Sequence, residues 1–107
     1  VYTEKIAAAN SPEALAAAFA VTKLRSAAAA GAEAVGGGRM TAFELACDNA
    51  VMAYLKDAKL VSYGEAPAVA YFAAFEAELT AVRMIMTGLK AGIAPDTIRE
   101  RLRDFYA

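Results

Sequence analysis

Apolar residues along this chain recur with the 3.6-residue period of a helix, and no stretch shows a convincing two-residue alternation of strands. Turn and helix-start residues divide the pattern into segments. We expect an all-α fold, a small bundle of four to five helices with one long central helix. The predicted segments are the helical tail Val1–Ala9, then Ser11 to about Ala30, Thr41 to about Lys59, Pro67–Lys90, and a last helix from Pro95.

The central segment Pro67–Lys90 has three different sides on a helical wheel. Its broad apolar side carries Tyr71, Phe75, Leu79, Val82, Met86 and Leu89. A second side is almost bare, with Ala70, Ala74, Ala77, Ala81 and Gly88. The third is polar, with Glu76, Thr80, Arg83, Thr87 and Lys90. Two non-polar sides predict at least two neighbours, and the bare side allows one of them to approach closely.

Residues 31–39 include the run Gly36-Gly37-Gly38. A phosphate-binding loop would need a preceding strand and a following Gly-Lys-Ser/Thr, and both are missing here. We therefore interpret this segment as a Gly-rich flexible connector within a single helical domain.

The charge balance limits the classes of partner. Eleven basic and twelve acidic residues give a net charge of -1, which argues against a nucleic-acid partner and against a polybasic membrane patch. The mixed charges of Ile98–Tyr106 indicate a solvated helix face rather than a recognition helix. No stretch is apolar over the roughly 18 residues that a membrane span needs. Because the chain begins at Val1 without a signal-peptide pattern, we expect a piece of a longer protein.

The sequence contains few candidates for catalytic or metal-binding residues. The chain has no His and a single cysteine, Cys47, which we interpret as a small core residue. Glu76 and Glu78 are two residues apart on a helix, so their carboxylates point in different directions and do not form a catalytic pair. We expect no catalytic, cofactor-binding or metal site.

Four charged residues are candidates for structural ion pairs. Glu76 shares the polar side of the central helix with Thr80 and Arg83, so we expect it to join a network there. Glu78 lies among apolar residues and would need a partner if its surface is covered. We expect that partner to be Arg99 or Arg101 on the last helix.

A series of short motifs occurs in a characteristic order between Phe43 and Tyr106. The motifs are Phe43-Glu44-Leu45, Cys47-Asp48-Asn49, Tyr63-Gly64, Ala70-Tyr71, Glu76-Ala77-Glu78, Val82-Arg83-Met84-Ile85, Gly88-Leu89-Lys90-Ala91-Gly92, Ile98-Arg99-Glu100-Arg101-Leu102 and Tyr106. Their order resembles the carboxy-terminal part of the C-type subunit of the V-type and A-type rotary ATPases, related to the d-type subunit of the eukaryotic vacuolar enzyme. Residues before Phe43 match more loosely, through Ser11-Pro12-Glu13 and Thr22-Lys23.

The resemblance implies a non-catalytic subunit at the cytoplasmic face of a membrane. It would couple the central stalk to the proteolipid ring, linking ATP synthesis or hydrolysis to proton or sodium transport. The resemblance also implies that the chain is the carboxy-terminal part of a longer subunit. The charged positions that match the family, which would hold helices in register, are Glu76, Glu78, Arg83 and Arg99.

A free-standing, all-helical protein-binding or regulatory module is the alternative, taking a peptide helix in a groove. The two hypotheses differ in the surface they predict. A piece of a larger subunit should expose an apolar patch or bury it by self-association, whereas a self-contained module should have a sealed surface with at most one groove.

Overall fold

The structure is a computed structural model that describes residues 2–106, with side chains from Thr3 onward. Within this range the chain forms α-helices and one 3₁₀ turn, Asp57–Leu60, and no strand, so the predicted all-α fold is confirmed. One helix, α5, is much longer than the others, as expected. The helices are α1 Tyr2–Ala7, α2 Pro12–Ala18, α3 Arg25–Val35, α4 Met40–Lys56, α5 Ala66–Lys90 and α6 Pro95–Arg101.

Internal contacts divide the chain into two compact units, Val1–Ala50 and Val51–Ala107, with the boundary inside α4. The two units are described separately below. That they behave as one domain stays a prediction.

In the first unit, α2 packs against α3 and α1 packs against α2. The predicted start of α2 is confirmed: the Ser11 hydroxyl accepts a hydrogen bond from the Ala14 N–H at 3.1 Å, and Pro12 occupies the first turn. The buried residues at this end of the chain are small, namely Ala27 and Ala50. Small side chains let these helices lie close together.

The prediction of one helix from Ser11 to about Ala30 is wrong, because the chain leaves the helix after Ala18 and resumes it at Arg25. The hydroxyl of Thr22 explains the break. It donates to the Phe19 carbonyl at 2.8 Å and accepts from the Leu24 N–H at 3.2 Å. These local bonds compete with the helical ladder for backbone groups. The break allows α2 and α3 to pack on one another.

The predicted connector at residues 31–39 is shorter than expected, because α3 continues through Gly31 to Val35. The glycine run ends that helix with a Schellman motif. Gly37 has a φ of 102°, which a glycine adopts without strain, and its N–H donates to the Ala34 carbonyl. The N–H of Gly38 donates to the Glu33 carbonyl at 2.8 Å. The segment is therefore a defined helix cap.

In the second unit the bare side of α5 is the side that is buried, as its residues Ala70, Ala74 and Gly88 show. The 3₁₀ turn and α6 both contact α5. Ile98 of α6 lies directly over Gly88: a Cβ placed on Gly88 would be 2.8 Å from the Ile98 Cδ1 atom. The prediction that the bare side permits an unusually close neighbour is confirmed at this crossing.

Candidate protein-docking surface

The broad apolar side of α5 is exposed. Phe72 and Met86 are 70% and 67% exposed, and every large residue on this side is at least half exposed. An uninterrupted row of such side chains along a 25-residue helix is unusual for a soluble monomer, whose exposed apolar residues are normally scattered. The other half-exposed residues of this side are Tyr71, Phe75, Leu79, Val82 and Leu89.

Six of these residues follow one another at alternating spacings of three and four, which is the heptad pattern of a coiled coil. We call this row the α5 seam. Glu76, Arg83 and Lys90 flank it on one side, and Glu78 flanks it on the other. Flanking charges of this kind set the choice and orientation of a partner helix. The α5 seam consists of Phe72, Phe75, Leu79, Val82, Met86 and Leu89.

The four predicted ion-pair residues are not brought together. Glu76, Glu78 and Arg83 are exposed, and within residues 2–106 none of the three takes part in an ion pair. The Thr80 hydroxyl donates to the backbone carbonyl of Glu76 at 2.9 Å, not to its carboxylate. That these charges hold helices in register stays a prediction about contacts beyond this chain.

Arg99 pairs within its own helix. Its Nη1 atom lies 2.9 Å from Asp96 Oδ1, and both side chains are largely exposed. Residues three apart on a helix lie side by side, so Arg99 and Asp96 can pair without any tertiary contact. The expected ion pair between Arg99 and Glu78 is not present. Glu78 is itself exposed, so water solvates its carboxylate and no protein partner is required.

A shallow recess of about 410 Å³ lies where α5 meets α6. Arg83 and Arg101 border it, and Ile98 forms part of its floor. The recess places two cationic side chains beside an apolar surface. Its remaining lining residues are Thr80, Met84, Thr87, Gly88, Ala91 and Ile93.

The first unit contains an open, mostly apolar groove of about 790 Å³, lined by α1, α2, α3 and the beginning of α4. Its lining includes the apolar side chains of Leu15, Phe19 and Phe43 and the polar residues Asn10 and Ser11. Cys47 also lines the groove and is half-buried, rather than fully enclosed in a core. The groove is a second apolar surface with space for another molecule.

Chemistry-bearing residues form no cluster in the part of the chain that the structure describes. Among residues 2–106, no group of three or more His, Cys, Asp or Glu is arranged to hold a metal ion. The described helices also include none with the length and apolar character to cross a membrane.

Two features of this surface are missed by sequence reasoning. The apolar side predicted for the central helix omits Phe72, although its spacing to Phe75 and Leu79 places it there. The contact between Ile98 of the last helix and Gly88 of the central helix is also not predicted, and Ile98 fills the space above Gly88. The heptad spacing is the signal that could have identified the first feature.

Comparison with known protein families gives one result. The model of the family described as ATP synthase (C/AC39) subunit matches residues 2–101, which is nearly the whole chain. No curated protein and no solved structure matches the chain.

Proposed function

Since the chain belongs to the ATP synthase (C/AC39) subunit family, we propose that it is a non-catalytic component of a V/A-type rotary ATPase, coupling the central stalk to the proteolipid ring. In this role it would pass rotation between ATP chemistry and the transport of protons or sodium ions. It would lie at the cytoplasmic face of the membrane as a peripheral part of the complex.

The observation that carries this proposal is the exposed apolar side of the long helix α5, whose large side chains are each at least half exposed. The buried hydrophobic residues are mainly alanines, while the large side chains of the α5 seam face solvent. A protein built in this way gains its missing contacts from other polypeptides, as a subunit of a larger assembly does.

The construction of the helices suits the transmission of force. The 25 residues of α5 span about 37 Å without a proline beyond the first turn. Its crossing with α6 is close-packed, because Ile98 sits directly on Gly88. Closely packed helices resist small displacements, since interiors have low compressibility. Such an element can carry torque without taking part in a reaction.

The exposed charges would then meet partners on neighbouring subunits. Glu76, Glu78 and Arg83 all lie on the long helix with their charged groups in solvent. Charges at the rim of an interface mainly fix its register and its rate of association. We assign them this role, which is the one the family resemblance gives them, and no part in proton or nucleotide chemistry.

Direct binding tests the proposal. The purified chain, immobilised through a terminal tag, is exposed separately to purified central-stalk subunits and to detergent-solubilised proteolipid ring. We expect both to be captured, and an unrelated all-helical protein of similar charge to capture neither. Failure of both captures would contradict the coupling role.

Glu substitutions on the two apolar surfaces, with a matched control elsewhere, test whether these surfaces bind the stalk and ring subunits. Met86→Glu places a charge on the α5 seam and Met40→Glu places one at the rim of the groove, both at exposed sites. Val21→Glu adds the same charge at a site that is 83% exposed and outside both surfaces. We expect at least one of the first two variants to weaken capture about tenfold or more, and Val21→Glu to leave it unchanged.

The alternative, a free-standing regulatory module, is favoured by the groove in the first unit. At about 790 Å³ this groove has room for the apolar residues of a short amphipathic helix. The exposed α5 seam argues against it, because a sealed surface with one groove is the expectation for such a module. Capture of an amphipathic peptide without capture of stalk or ring subunits would favour this alternative.

A further inference from the structure

Two arginines border the recess between α5 and α6 without an acidic partner from the chain itself. Arg83 belongs to α5, and Arg101 belongs to the last turn of α6. Within residues 2–106 neither guanidinium takes part in an ion pair, and the described lining of the recess includes no Asp or Glu. The recess therefore offers two positive charges to a ligand from outside the chain.

The hydrogen-bond donors of the recess suit a carboxylate. A guanidinium can donate two parallel hydrogen bonds to a carboxylate, and these charge-assisted bonds are among the strongest in proteins. Thr87 lies one turn after Arg83 on α5, and its hydroxyl donates to no other residue in the described part of the chain. The Thr80 hydroxyl is occupied, because it donates to the Glu76 carbonyl at 2.9 Å. Two guanidinium groups and one hydroxyl are thus available for an acidic group.

The remainder of the recess is mostly apolar. Met84, Ile93 and Ile98 contribute to its lining, and Ile98 is held in place by its close contact with Gly88. At about 410 Å³ the recess lies in the lower part of the range of binding pockets, with space for a few side chains. A ligand that fills it would carry an apolar group beside its acidic group. A peptide with Asp or Glu next to a Leu has this chemistry.

The surrounding charges favour a single acidic group over a polyanionic surface. The chain has a net charge of -1, and α5 and α6 also carry Glu76, Glu78, Asp96 and Glu100. A nucleic acid or an anionic membrane presents many closely spaced negative charges, which these carboxylates would repel. A short acidic segment of another polypeptide needs only the two arginines.

We propose that the recess between α5 and α6 is a binding site for an acidic segment of a partner polypeptide. Arg83 and Arg101 hold one Asp or Glu side chain of that segment, and a neighbouring apolar side chain lies against Ile98. The recess shares no residue with the α5 seam or with the groove of the first unit. Binding of such a segment follows from the chemistry of the recess and does not depend on the proposed role in an ATPase.

Titration of the isotope-labelled chain with a defined peptide, followed by nuclear magnetic resonance, tests the site. The probe is a short capped peptide with a Leu-Glu-Leu core in a Gly/Ser background. We expect saturable shifts of the amide signals of Thr87, Gly88 and Ile93, which line the recess. One matched peptide has Gln in place of Glu, and another has Ser in place of both Leu residues. Each should bind about tenfold or more weakly, through loss of the charge or of apolar contact.

Variants of the chain assign the binding to the arginines. Arg83→Gln and Arg101→Gln should each weaken binding of the probe about tenfold or more. Arg99→Gln is the matched control and should leave binding unchanged, because Arg99 pairs with Asp96 and does not line the recess. All three side chains are exposed, so the helical content by circular dichroism should be the same in every variant.

Several results would overturn the proposal. These are a probe that shifts no signal of the recess, equal binding of the Glu and Gln peptides, and a probe affinity that neither Arg83→Gln nor Arg101→Gln reduces. Vesicles that contain phosphatidylglycerol distinguish a lipid site from a peptide site. Displacement of the probe by these vesicles, with vesicle binding that Arg83→Gln and Arg101→Gln abolish, would assign the recess to a lipid headgroup and contradict the proposal. Vesicles that leave the probe bound would support it.

Discussion

The crossing of α5 and α6 offers a sharp test of how closely packed helices set stability. Gly88 lies beneath Ile98, which is only 6% exposed. A Cβ on Gly88 would lie 2.8 Å from Ile98 Cδ1 and 3.0 Å from Cγ1, whereas carbon atoms prefer about 3.5 to 4.0 Å. Gly88→Ala should therefore overpack the crossing, at a cost of about 1 to 3 kcal/mol.

Two opposing effects determine how far Gly88→Ala changes the free energy of unfolding. Alanine is favoured over glycine within a helix by about 1 kcal/mol, so the net loss for Gly88→Ala should be about 0 to 2 kcal/mol. Ile98→Val alone removes Cδ1 and should cost about 0.5 to 1.5 kcal/mol. In the double variant the new Cβ occupies the space that Cδ1 vacates. The interaction energy should therefore favour the double variant by about 1 to 2 kcal/mol relative to the sum of the single changes.

Urea unfolding of the four proteins, followed by far-ultraviolet circular dichroism, measures this energy. All four are compared at one protein concentration, because self-association would make stability concentration-dependent. Exchange of the Ile98 amide hydrogen, which donates to the Ala94 carbonyl at 3.2 Å, assigns the effect to the second unit. An interaction energy within about 0.3 kcal/mol of zero would refute the close contact.

Three further substitutions, one of them with a matched control, test local features of the fold by the same unfolding assay. Gly37→Ala should lower the free energy of unfolding by about 1 to 2 kcal/mol, because residue 37 has a positive φ. Gly36→Ala is the control and should be tolerated, because φ at residue 36 is -76°. Equal effects of the two substitutions would contradict the cap. Ser11→Ala should cost about 1 kcal/mol through loss of the bond to the Ala14 N–H, and no change would argue against that cap. Arg99→Ala should change stability by about 0.5 kcal/mol or less, since its ion pair is exposed; a loss of several kcal/mol would indicate a tertiary role.

The sequence is sufficient to predict the helical class and the three sides of the long helix, but not which side is buried. A helical wheel shows which residues share an apolar side, but it does not show which element packs against that side. Here the short helix α6 buries Ile98 against Gly88, so the bare side forms the packing surface. The large residues of the bulky side stay at least half exposed.

Local hydrogen bonds account for the helix boundaries that differ from prediction. The alanine-rich stretch after Ser11 favours helix throughout, yet the Thr22 hydroxyl bonds to nearby backbone and interrupts it. The composition of residues 36–38 indicates flexibility, although the same glycines satisfy the last carbonyls of α3. Composition does not distinguish a linker from a cap.

The candidate ion pairs show a different limit of prediction from the sequence. Periodicity places Glu76, Glu78 and Arg83 correctly on the long helix, but pairing depends on which groups become buried. Arg99 finds Asp96 within its own helix, a contact whose three-residue spacing the sequence already contains. Short-range partners of this kind should be considered before tertiary ones.

The most direct test of the proposed coupling role is the composition of an assembled rotary ATPase. The enzyme is purified from membranes of the source cells through a tag on a catalytic subunit, and its subunits are quantified by mass spectrometry. We expect peptides from this chain in fixed proportion to the central-stalk subunits, and their loss when the stalk and ring are separated from the catalytic head. A complete, coupled enzyme that contains none of these peptides would contradict it.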